Sequence, residues 1–439
     1  MFGVQQVLIK PDKDLQAILE FICGEANKLH NCAVYYARQM YFKTHKYVRP
    51  FDLINELKRH PHYGSLCAQA AQQVCGAVGE SIKSYKGLIK LFKEGGLEHR
   101  PKLVNYREKD GLNLIAYPKQ ALGKKLVLGQ IVVPLGQKVQ AWFGLKNFKL
   151  PMPSNLEYSE IREIRILPRN GCFYAEFVYK VKVVDSNLDQ SKALGLDPGL
   201  NNWLTCVSNI GTSFIVDGLH LKSLNRWYNK QIATLKEGKS QGFWSNRLAA
   251  ITEKRNRQMR DAVNKAARQV IGHCLENGVG TVVFGWNKNQ KNGSNMGKKT
   301  NQKFVQIPTA RLKSRISQLC EQYGIQFVET EESYTSKASF VDRDELPAFR
   351  EKPEGWQATG KRTKRGLYRT AQNWYINADS NGAANILRKV SITLGLDLSG
   401  VSRGALTRPT RIHFWVPAKK VESCGFSPTR NISLESPLL

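Results

Sequence analysis

The sequence has 439 residues, of which 41% are hydrophobic and 10% aromatic, enough for about two to four folded domains and too apolar for a disordered tail protein. Lys and Arg number 66 against 36 Asp and Glu, which gives a net charge of +30. Because such an excess repels itself unless a polyanion neutralises it, nucleic acid is the expected partner.

The sequence predicts neither a secreted nor a membrane protein. Residues 1–10 lack the long apolar core of a signal peptide. No apolar run reaches the length of a membrane span, so no membrane association and a cytoplasmic location are expected. The nine cysteines are scattered without a Cys-x-x-Cys pair, which indicates reduced thiols.

The front half reads as a helical segment inserted into a β domain. Residues 1–10 alternate as a strand, and apolar residues at helical spacing predict helices from 14 to about 95. Between 101 and 184 short β-branched and aromatic runs are separated by Gly, Pro and Asn turns. The strand-like runs are 129–134, 139–143, 161–167 and 172–179. A small barrel that includes the first strand is expected, with a hairpin at Pro168-Arg-Asn-Gly.

The back half predicts a second β and α pattern. A strand at 193–198 is followed by a hairpin that turns at 209–211, and then by two long helices between about 219 and 276. The next predicted elements are a strand at 280–285, a helix at 307–323, a strand at 325–332 and a helix from about 381. This is the element order of the RNase H fold. Residues 393–439 are expected to form a loose or peripheral tail.

Isolated acids at strand ends and helix starts are candidates for a two-metal nuclease site, which draws its carboxylates from distant parts of the chain. Asp197 ends a strand that the following Pro-Gly breaks, so its carboxylate is expected at the sheet edge. The alternative is a simple turn aspartate. Asp379 begins the last helix, where the alternative is a helix N-cap. The small residues 382–384 would let this helix pack close to the sheet.

Three motifs carry a family resemblance. They are Gly-Leu-Asp-Pro-Gly around Asp197, Tyr334-Thr-Ser-Lys, and Asn377-Ala-Asp-Ser-Asn-Gly-Ala-Ala-Asn-Ile-Leu. Together they resemble the TnpB family, RNA-guided nucleases encoded by insertion sequences and related to type V CRISPR effectors. The resemblance is specific over about 190–390, whereas the front half fits the family only in architecture.

The resemblance implies an α+β multidomain fold with a RuvC-like (RNase H fold) nuclease core. A β-barrel wedge domain and an inserted helical recognition lobe would bind the guide RNA. Target DNA would be recognised beside a short motif and cut at a Mg²⁺ or Mn²⁺ site, and a monomer is favoured. The implied parts are the first wedge strand (1–13), the helical lobe (14–98), the wedge barrel (99–186), the nuclease (190–336 and 376–392), a target-binding insert (337–375) and the tail (393–439).

The third acid departs from the family pattern. The family usually has a glutamate at the end of the central strand, where this sequence has Gly285. The next strand ends in three glutamates, Glu329, Glu331 and Glu332. Glu332 has the side-chain parity of that strand and is the first candidate to bind metal with Asp197 and Asp379, and Glu331 is the second. If this is only a solvated strand end, the protein is a programmable binder without cleavage.

A second departure concerns zinc. The family usually carries a four-cysteine finger after the Tyr-Thr-Ser motif, but residues 337–378 contain neither Cys nor His, so no zinc is expected. The segment instead has a basic loop suited to phosphate contact. Its candidate nucleic-acid-binding residues are Lys361, Arg362, Lys364 and Arg365.

The two long helices interleave cationic and aromatic side chains, a mixture that suits RNA or RNA–DNA hybrids. The candidates there are Arg226, Lys230, Arg247, Lys254, Arg255, Arg257 and Arg260. We expect apolar stripes to pack on the sheet while the basic stripe meets nucleic acid. Residues 287–303 are expected to form a flexible basic loop. A DDE transposase acting without RNA is a further alternative, disfavoured by the missing acid on the central strand.

Overall fold

The computed structural model describes residues 2–123, 129–287 and 307–414. The basic loop predicted after Asn287 and the tail from residue 415 lie outside the described residues. The chain divides into two compact units, Met1–Lys182 and Val183–Leu439. Within the described ranges, none of the helices combines the length and apolar character that a membrane span requires.

The first unit contains the predicted helical segment. Its helices are α1 (Lys13–Thr44), α2 (Pro50–Leu57), α3 (Pro61–Gly64) and α4 (Ala68–Lys93). The Asp12 side chain caps α1 by accepting a hydrogen bond from the Leu15 amide at 2.8 Å. His45 ends the same helix in a left-handed conformation with φ 56°. Apolar residues at helical spacing, such as Ile18 and Ile22, are buried in the core of this unit.

The strands of the first unit form two separate sheets. They are β1 (Phe2–Ile9), β2 (Ile115–Pro118), β3 (Gln130–Pro134), β4 (Asn147–Pro151), β5 (Ile161–Arg169) and β6 (Cys172–Lys180). One sheet has the order β1-β6-β5-β2, and β3 pairs with β4 in a two-stranded ribbon. Because β1 pairs with β6 from Phe2 opposite Lys180 onward, the helices are inserted in sequence between two strands of one sheet.

The strand predicted at 139–143 is wrong, because this segment lies in helix α5 (Gln137–Phe143). Its side chains do not alternate in burial: Val139 is buried, whereas Trp142 is 63% exposed. Gly144, with φ 66°, ends the helix in the left-handed conformation that glycine tolerates. A five-residue apolar run carries too little periodicity to separate a strand from a short helix.

The second unit is built on a six-stranded sheet of order β11-β10-β7-β8-β9-β15. Its strands are β7 (Asp189–Pro198), β8 (Asn202–Ser208), β9 (Ser213–Asp217), β10 (Val279–Gly285), β11 (Gln326–Thr330), β12 (Lys361–Lys364), β13 (Leu367–Arg369), β14 (Tyr375–Asn377) and β15 (Thr410–Ile412). Its helices are α6 (Leu219–Lys236), α7 (Asn246–Asn277), α8 (Thr309–Tyr323), α9 (Ala378–Leu394) and α10 (Arg403–Thr407). The predicted order of a three-stranded meander followed by helices alternating with strands is confirmed.

Helices cover both faces of this sheet. Alternate residues of β7 divide between the faces, so Leu194 and Leu196 pack with α7 and α8, and Ala193 packs with α9. Helix α9 lies close to β7, because a Cβ atom at Gly195 would stand 2.5 Å from the Ala383 carbonyl oxygen. This close approach brings the first turn of α9 to the edge where β7 ends.

Of the two expectations for the tail, loose or peripheral, residues 393–414 fit the second, because they form ordered elements at the edge of the central sheet. Strand β15 extends the central sheet parallel to β9, with Thr410 opposite Phe214. Helix α10 is held by a hydrogen bond of 2.6 Å from the Ser213 hydroxyl to the Ala405 carbonyl. A three-residue edge strand pairs mainly through its backbone, so a Ser, Pro and Arg-rich composition does not reveal it.

Candidate metal site and nucleic-acid surface

Three acidic side chains predicted from the sequence approach one edge of the six-stranded sheet, although their oxygens do not all lie within 4.8 Å of one another. Strands β7, β10 and β11 are parallel, so their carboxyl ends lie at the same edge. Asp197 is the penultimate residue of β7, and Glu332 follows the end of β11 by two residues. Asp379 lies in the first turn of α9. Three separate elements therefore bring carboxylates to this edge.

Asp197 is half-buried and lies among like charges. Burial raises the pKa of its carboxyl well above the usual range, and Glu332 and Asp379 raise it further, while Arg362 opposes them. A Cβ atom at Gly382 would lie 2.5 Å from Asp197 Oδ2, so the glycine lets α9 pass directly over the carboxylate. Arg362 offsets the like charges only in part, and a divalent cation would supply further positive charge.

Glu332 fills the space that Gly285 leaves at the end of β10. A Cβ atom on Gly285 would lie 2.9 Å from Glu332 Oε1. Asn287 holds the acid: its Oδ1 accepts from the Glu332 amide at 3.0 Å, and its Nδ2 donates to Oε2 at 3.3 Å. Glu332 Oε1 is buried without a hydrogen-bond partner. An orphaned carboxylate oxygen is costly to bury, and it fits a metal ligand.

The environment of Glu332 favours its protonated form when no cation is near. Burial, followed by the charge of Glu331, raises the pKa of the Glu332 carboxyl to about 7. Metal binding requires the ionised form of a carboxylate. An oxygen-seeking ion such as Mg²⁺ or Mn²⁺ therefore suits the donor set of this edge.

Glu331 is engaged in a different contact. It accepts a hydrogen bond from the Lys389 amine on α9 and another, of 2.9 Å, from the Ser333 amide. Burial would raise the pKa of the Glu331 carboxyl, but the hydrogen bonds from Lys389 and Ser333 outweigh burial and lower it. Glu329 pairs with Lys313 at 2.7 Å. The structure thus places Glu332 beside Asp197, and Glu331 and Glu329 in ion pairs with lysines.

Asp379 is not the cap of its helix. Asn377 takes that role, because its Oδ1 accepts from the amides of Asp379 and Ser380 at 2.9 and 3.0 Å. The Asp379 carboxylate instead accepts from Asn202 Nδ2 at 2.6 Å and from Arg362 Nη2 at 3.0 Å. The N-cap interpretation therefore belongs to Asn377, and the Asp379 side chain is directed into the acidic cluster.

The sequence analysis did not identify the side chains that hold Asp379 in position. Asn202 and Asp217 are cross-strand partners on β8 and β9. Arg411 on β15 donates to Asn202 Oδ1 at 2.9 Å and to Asp217 Oδ1 at 2.8 Å. A chain of contacts thus runs from β15 to the Asp379 carboxylate. The available signal was Asp217, an acid at the end of a strand that finishes at the same sheet edge as β7.

Replacing Asn202 by Ala is expected to weaken Mn²⁺ binding about 10–100-fold, because a carboxylate ligand loses the partner that orients it. Titration of the full chain, followed by the electron paramagnetic resonance of free Mn²⁺, measures this. The matched control is Asn201→Ala, since Asn201 contacts Lys222 and makes no contact with Asp379. Equal Mn²⁺ affinities in both variants would show that Asn202 does not position Asp379.

Two further asparagines of the motif that begins at Asn377 hold a neighbouring segment in place. Asn381 and Asn385 are fully buried in α9. Asn385 Nδ2 donates to the Thr335 and Ala338 carbonyls at 2.9 and 2.8 Å, and Asn381 Nδ2 donates to the Ala338 carbonyl at 2.8 Å. The helix that carries Asp379 therefore also holds the segment that follows Glu332.

In the insert, residues 337–375, aspartate side chains connect distant parts of the chain by hydrogen bonds. Its strands β12, β13 and β14 form an antiparallel sheet. Asp344 accepts hydrogen bonds from the Ser339 amide at 2.7 Å and from the Thr359 hydroxyl at 2.7 Å. Asp342 accepts from the Ala371 amide at 2.9 Å. These carboxylate contacts fix the two ends of the insert, which contains no cysteine or histidine between 337 and 378.

The candidate nucleic-acid-binding residues fall into two groups by exposure. The exposed ones are Arg226, Lys230, Arg247, Lys254, Lys361, Arg362, Lys364 and Arg365, and the half-buried ones are Arg255, Arg257 and Arg260. Arg255 donates to Asn225 at 2.7 Å and Arg260 pairs with the buried Glu253 at 3.0 Å. Arg255 and Arg260 therefore contribute to packing around α7.

Comparisons with known proteins agree with the resemblance found in the motifs. Residues 176–291 match the OrfB_IS605 family, described as a probable transposase. A cryo-EM structure of a Cas12f1–sgRNA–target DNA complex is similar to this chain with a TM-score of 0.55 at 15% identity, over 85% of this chain and 83% of that one. The mini-RNA-guided endonuclease CRISPR-Cas_phi3 aligns with a TM-score of 0.40 at 9% identity, over 93% and 94% of the two chains.

No curated protein matches the sequence. The similarity to Cas12f1 shows a shared fold, and the OrfB_IS605 match lies across β6 to β10, the part of the chain that contains Asp197. The motifs predicted a resemblance to the TnpB family, a relative of type V effectors, and these comparisons confirm that resemblance.

Proposed function

We propose that this chain, a TnpB-like relative of type V effectors, is an RNA-guided DNA endonuclease that hydrolyses phosphodiesters at a divalent-metal site formed by Asp197, Glu332 and Asp379. One observation carries the proposal: Asp197 lies close enough to Glu332 and Asp379 for each to raise its pKa. The unpartnered Glu332 Oε1 supports it, since a bound cation would satisfy that oxygen. The RNase H element order supports the same reaction class.

The bound cations would activate a water molecule and stabilise the leaving oxygen of the phosphodiester. The protein's part is to hold three ionised carboxylates at fixed positions. Asn202 and Asn287 orient Asp379 and Glu332, and the glycines at 285 and 382 leave room for the carboxylates. Arg362, which pairs with Asp379 at 3.0 Å, is placed to exchange that carboxylate for a substrate phosphate.

Sequence recognition would come from a guide RNA. Base pairing would read the target, while the protein contacts the backbone of the RNA–DNA hybrid. The exposed cations of α6, α7 and β12 suit this role, because backbone contacts depend on charge more than on base identity. The Cas12f1 complex, described with an sgRNA and target DNA, supports these partners.

The direct experiment is to purify the protein, sequence any RNA that remains bound, and supply DNA that matches this RNA. We expect cleavage of matching DNA with Mg²⁺ or Mn²⁺ and none after chelation or with unmatched DNA. Cleavage by RNA-free protein at the same rate would instead favour a transposase that acts alone.

The second candidate is an RNA-guided DNA-binding protein that does not cut. Gly285 favours it, because the family position for the third acid lacks a carboxylate. Binding of matched DNA without cleavage, in the presence of either metal ion, would select this function over the nuclease.

A further inference from the structure

A group of metal-ligand side chains lies in the first unit, apart from the acidic cluster. Cys32 comes from α1, His60 directly precedes α3 and His62 lies within it. One ligand atom from each residue lies within 4.8 Å of the others. Cys32 Sγ is 3.7 Å from His60 Nε2. A thiol and two imidazoles are the donor types that zinc selects.

The spacing agrees with tetrahedral coordination. Zn–S bonds of about 2.3 Å and Zn–N bonds of about 2.0–2.1 Å, separated by the tetrahedral angle, place sulfur and nitrogen about 3.6 Å apart. The observed separation of Cys32 Sγ and His60 Nε2 is 3.7 Å. We propose that Cys32, His60 and His62 form a zinc-binding site, with water as the fourth ligand.

A buried carboxylate orients one of the imidazoles. Glu25 is 6% exposed, and its Oε2 lies 2.8 Å from His62 Nδ1. An N–H group on Nδ1 that donates to Glu25 leaves Nε2 of His62 free for a metal ion. Metal-bound histidines usually donate their second nitrogen to a carboxylate in this way. Glu25 lies two helical turns before Cys32 on α1, so one helix supplies both the thiol and the orienting acid.

The segment that carries the histidines is held by its own backbone and by a weak contact in which His60 Nδ1 accepts from the His62 amide at 3.3 Å. Coordination through His60 Nε2 would move the ring proton to Nδ1 and replace this contact. The amides of Tyr63 and Gly64 donate to the His60 carbonyl at 3.0 and 3.1 Å, and the Ser65 amide donates to the Pro61 carbonyl at 3.1 Å. A bound ion would connect this turn to α1 and cross-link two parts of the helical unit. The site departs from the expectation of a chain without zinc, which rested on residues 337–378.

Cobalt titration of the full-length protein, freed of metal by chelation, tests the site. A thiolate ligand gives Co²⁺ an intense sulfur-to-metal charge-transfer band, which a cluster of carboxylates cannot produce. We expect this band to saturate at one Co²⁺ per chain and to disappear when Zn²⁺ is added. Because the band requires sulfur, its outcome is independent of the proposed nuclease site.

Cys32→Ser should abolish the band, and Glu25→Gln should lower the Co²⁺ affinity about 10–100-fold. The matched control is Cys172→Ser, which removes another partly buried thiol of the same unit and should leave the band unchanged. Circular dichroism of each variant monitors folding. The proposal is overturned if the folded wild type gives no band, or if the band persists in Cys32→Ser.

Discussion

Asp197→Ala should reduce DNA cleavage on the order of a thousandfold or more while leaving guide-RNA and target-DNA binding unchanged. The charges of Glu332 and Asp379 both act on the Asp197 carboxyl, so its removal takes away one oxygen donor of the proposed metal site. Single-turnover cleavage of labelled matching DNA measures the first effect, and gel-shift titration of the same complex measures the second.

The control for this variant is Asp189→Ala. Asp189 lies at the other end of β7, is exposed, and makes local hydrogen bonds to Ser191. We expect its cleavage rate to equal that of the wild type. If Asp197→Ala retains cleavage, the metal site does not lie at this sheet edge, whatever the binding data show.

Glu332→Gln should abolish cleavage to a similar extent, whereas Glu331→Gln should retain it. The two residues are adjacent, but Glu332 faces Asp197 and Glu331 pairs with Lys389. The Glu331→Gln variant should unfold at a lower temperature, since the Lys389 side chain is 8% exposed and loses its counter-charge. Cleavage rates normalised to folded protein, with thermal unfolding in parallel, separate the two effects.

A double variant that moves the acid from position 332 to position 285 tests the same assignment. A Cβ atom at Gly285 would lie 2.9 Å from Glu332 Cγ and 2.5 Å from Ile386 Cδ1. Glu332→Gly, together with a shift of the flexible end of Ile386, therefore opens room for an acid at the end of β10. We expect the double variant Gly285→Glu with Glu332→Gly to recover part of the cleavage that Glu332→Gly alone loses. Gly285→Glu alone should be impaired, because two side chains then compete for one space. If Glu331→Gln is inactive and Glu332→Gln is active, the assignment of the third ligand is reversed.

The sequence predicted the parts of the site that local pattern determines. Asp197 follows an apolar run and precedes Pro-Gly, so both the strand and its end could be inferred from nearest neighbours. The element order of the second unit followed from the same periodicities. Glu332 was chosen by the side-chain parity of its strand, and the parallel pairing of β7, β10 and β11 brings it to the same sheet edge as Asp197.

The sequence did not predict contacts that depend on tertiary packing. Arg411 donates to Asn202, which lies 209 residues earlier in the chain. No local sequence pattern links the three-residue strand β15 to Asp379 on helix α9. The N-cap of α9 was assigned to Asp379 as an alternative, because Asn377 and Asp379 both suit that position and only backbone geometry separates them. The strand prediction for residues 139–143 was wrong for a different reason, since so short an apolar run carries too little periodicity to exclude a helix.

Strand β15 has a consequence for the order in which the protein matures. The partner of Asn202, and through it the support of Asp379, is supplied by Arg411, which leaves the ribosome after every acid of the cluster. A nascent chain that has exposed only the first five strands of the central sheet lacks this support. The proposed nuclease would therefore gain this support for Asp379 only after Arg411 has emerged, when all three acids of the cluster have already been synthesised.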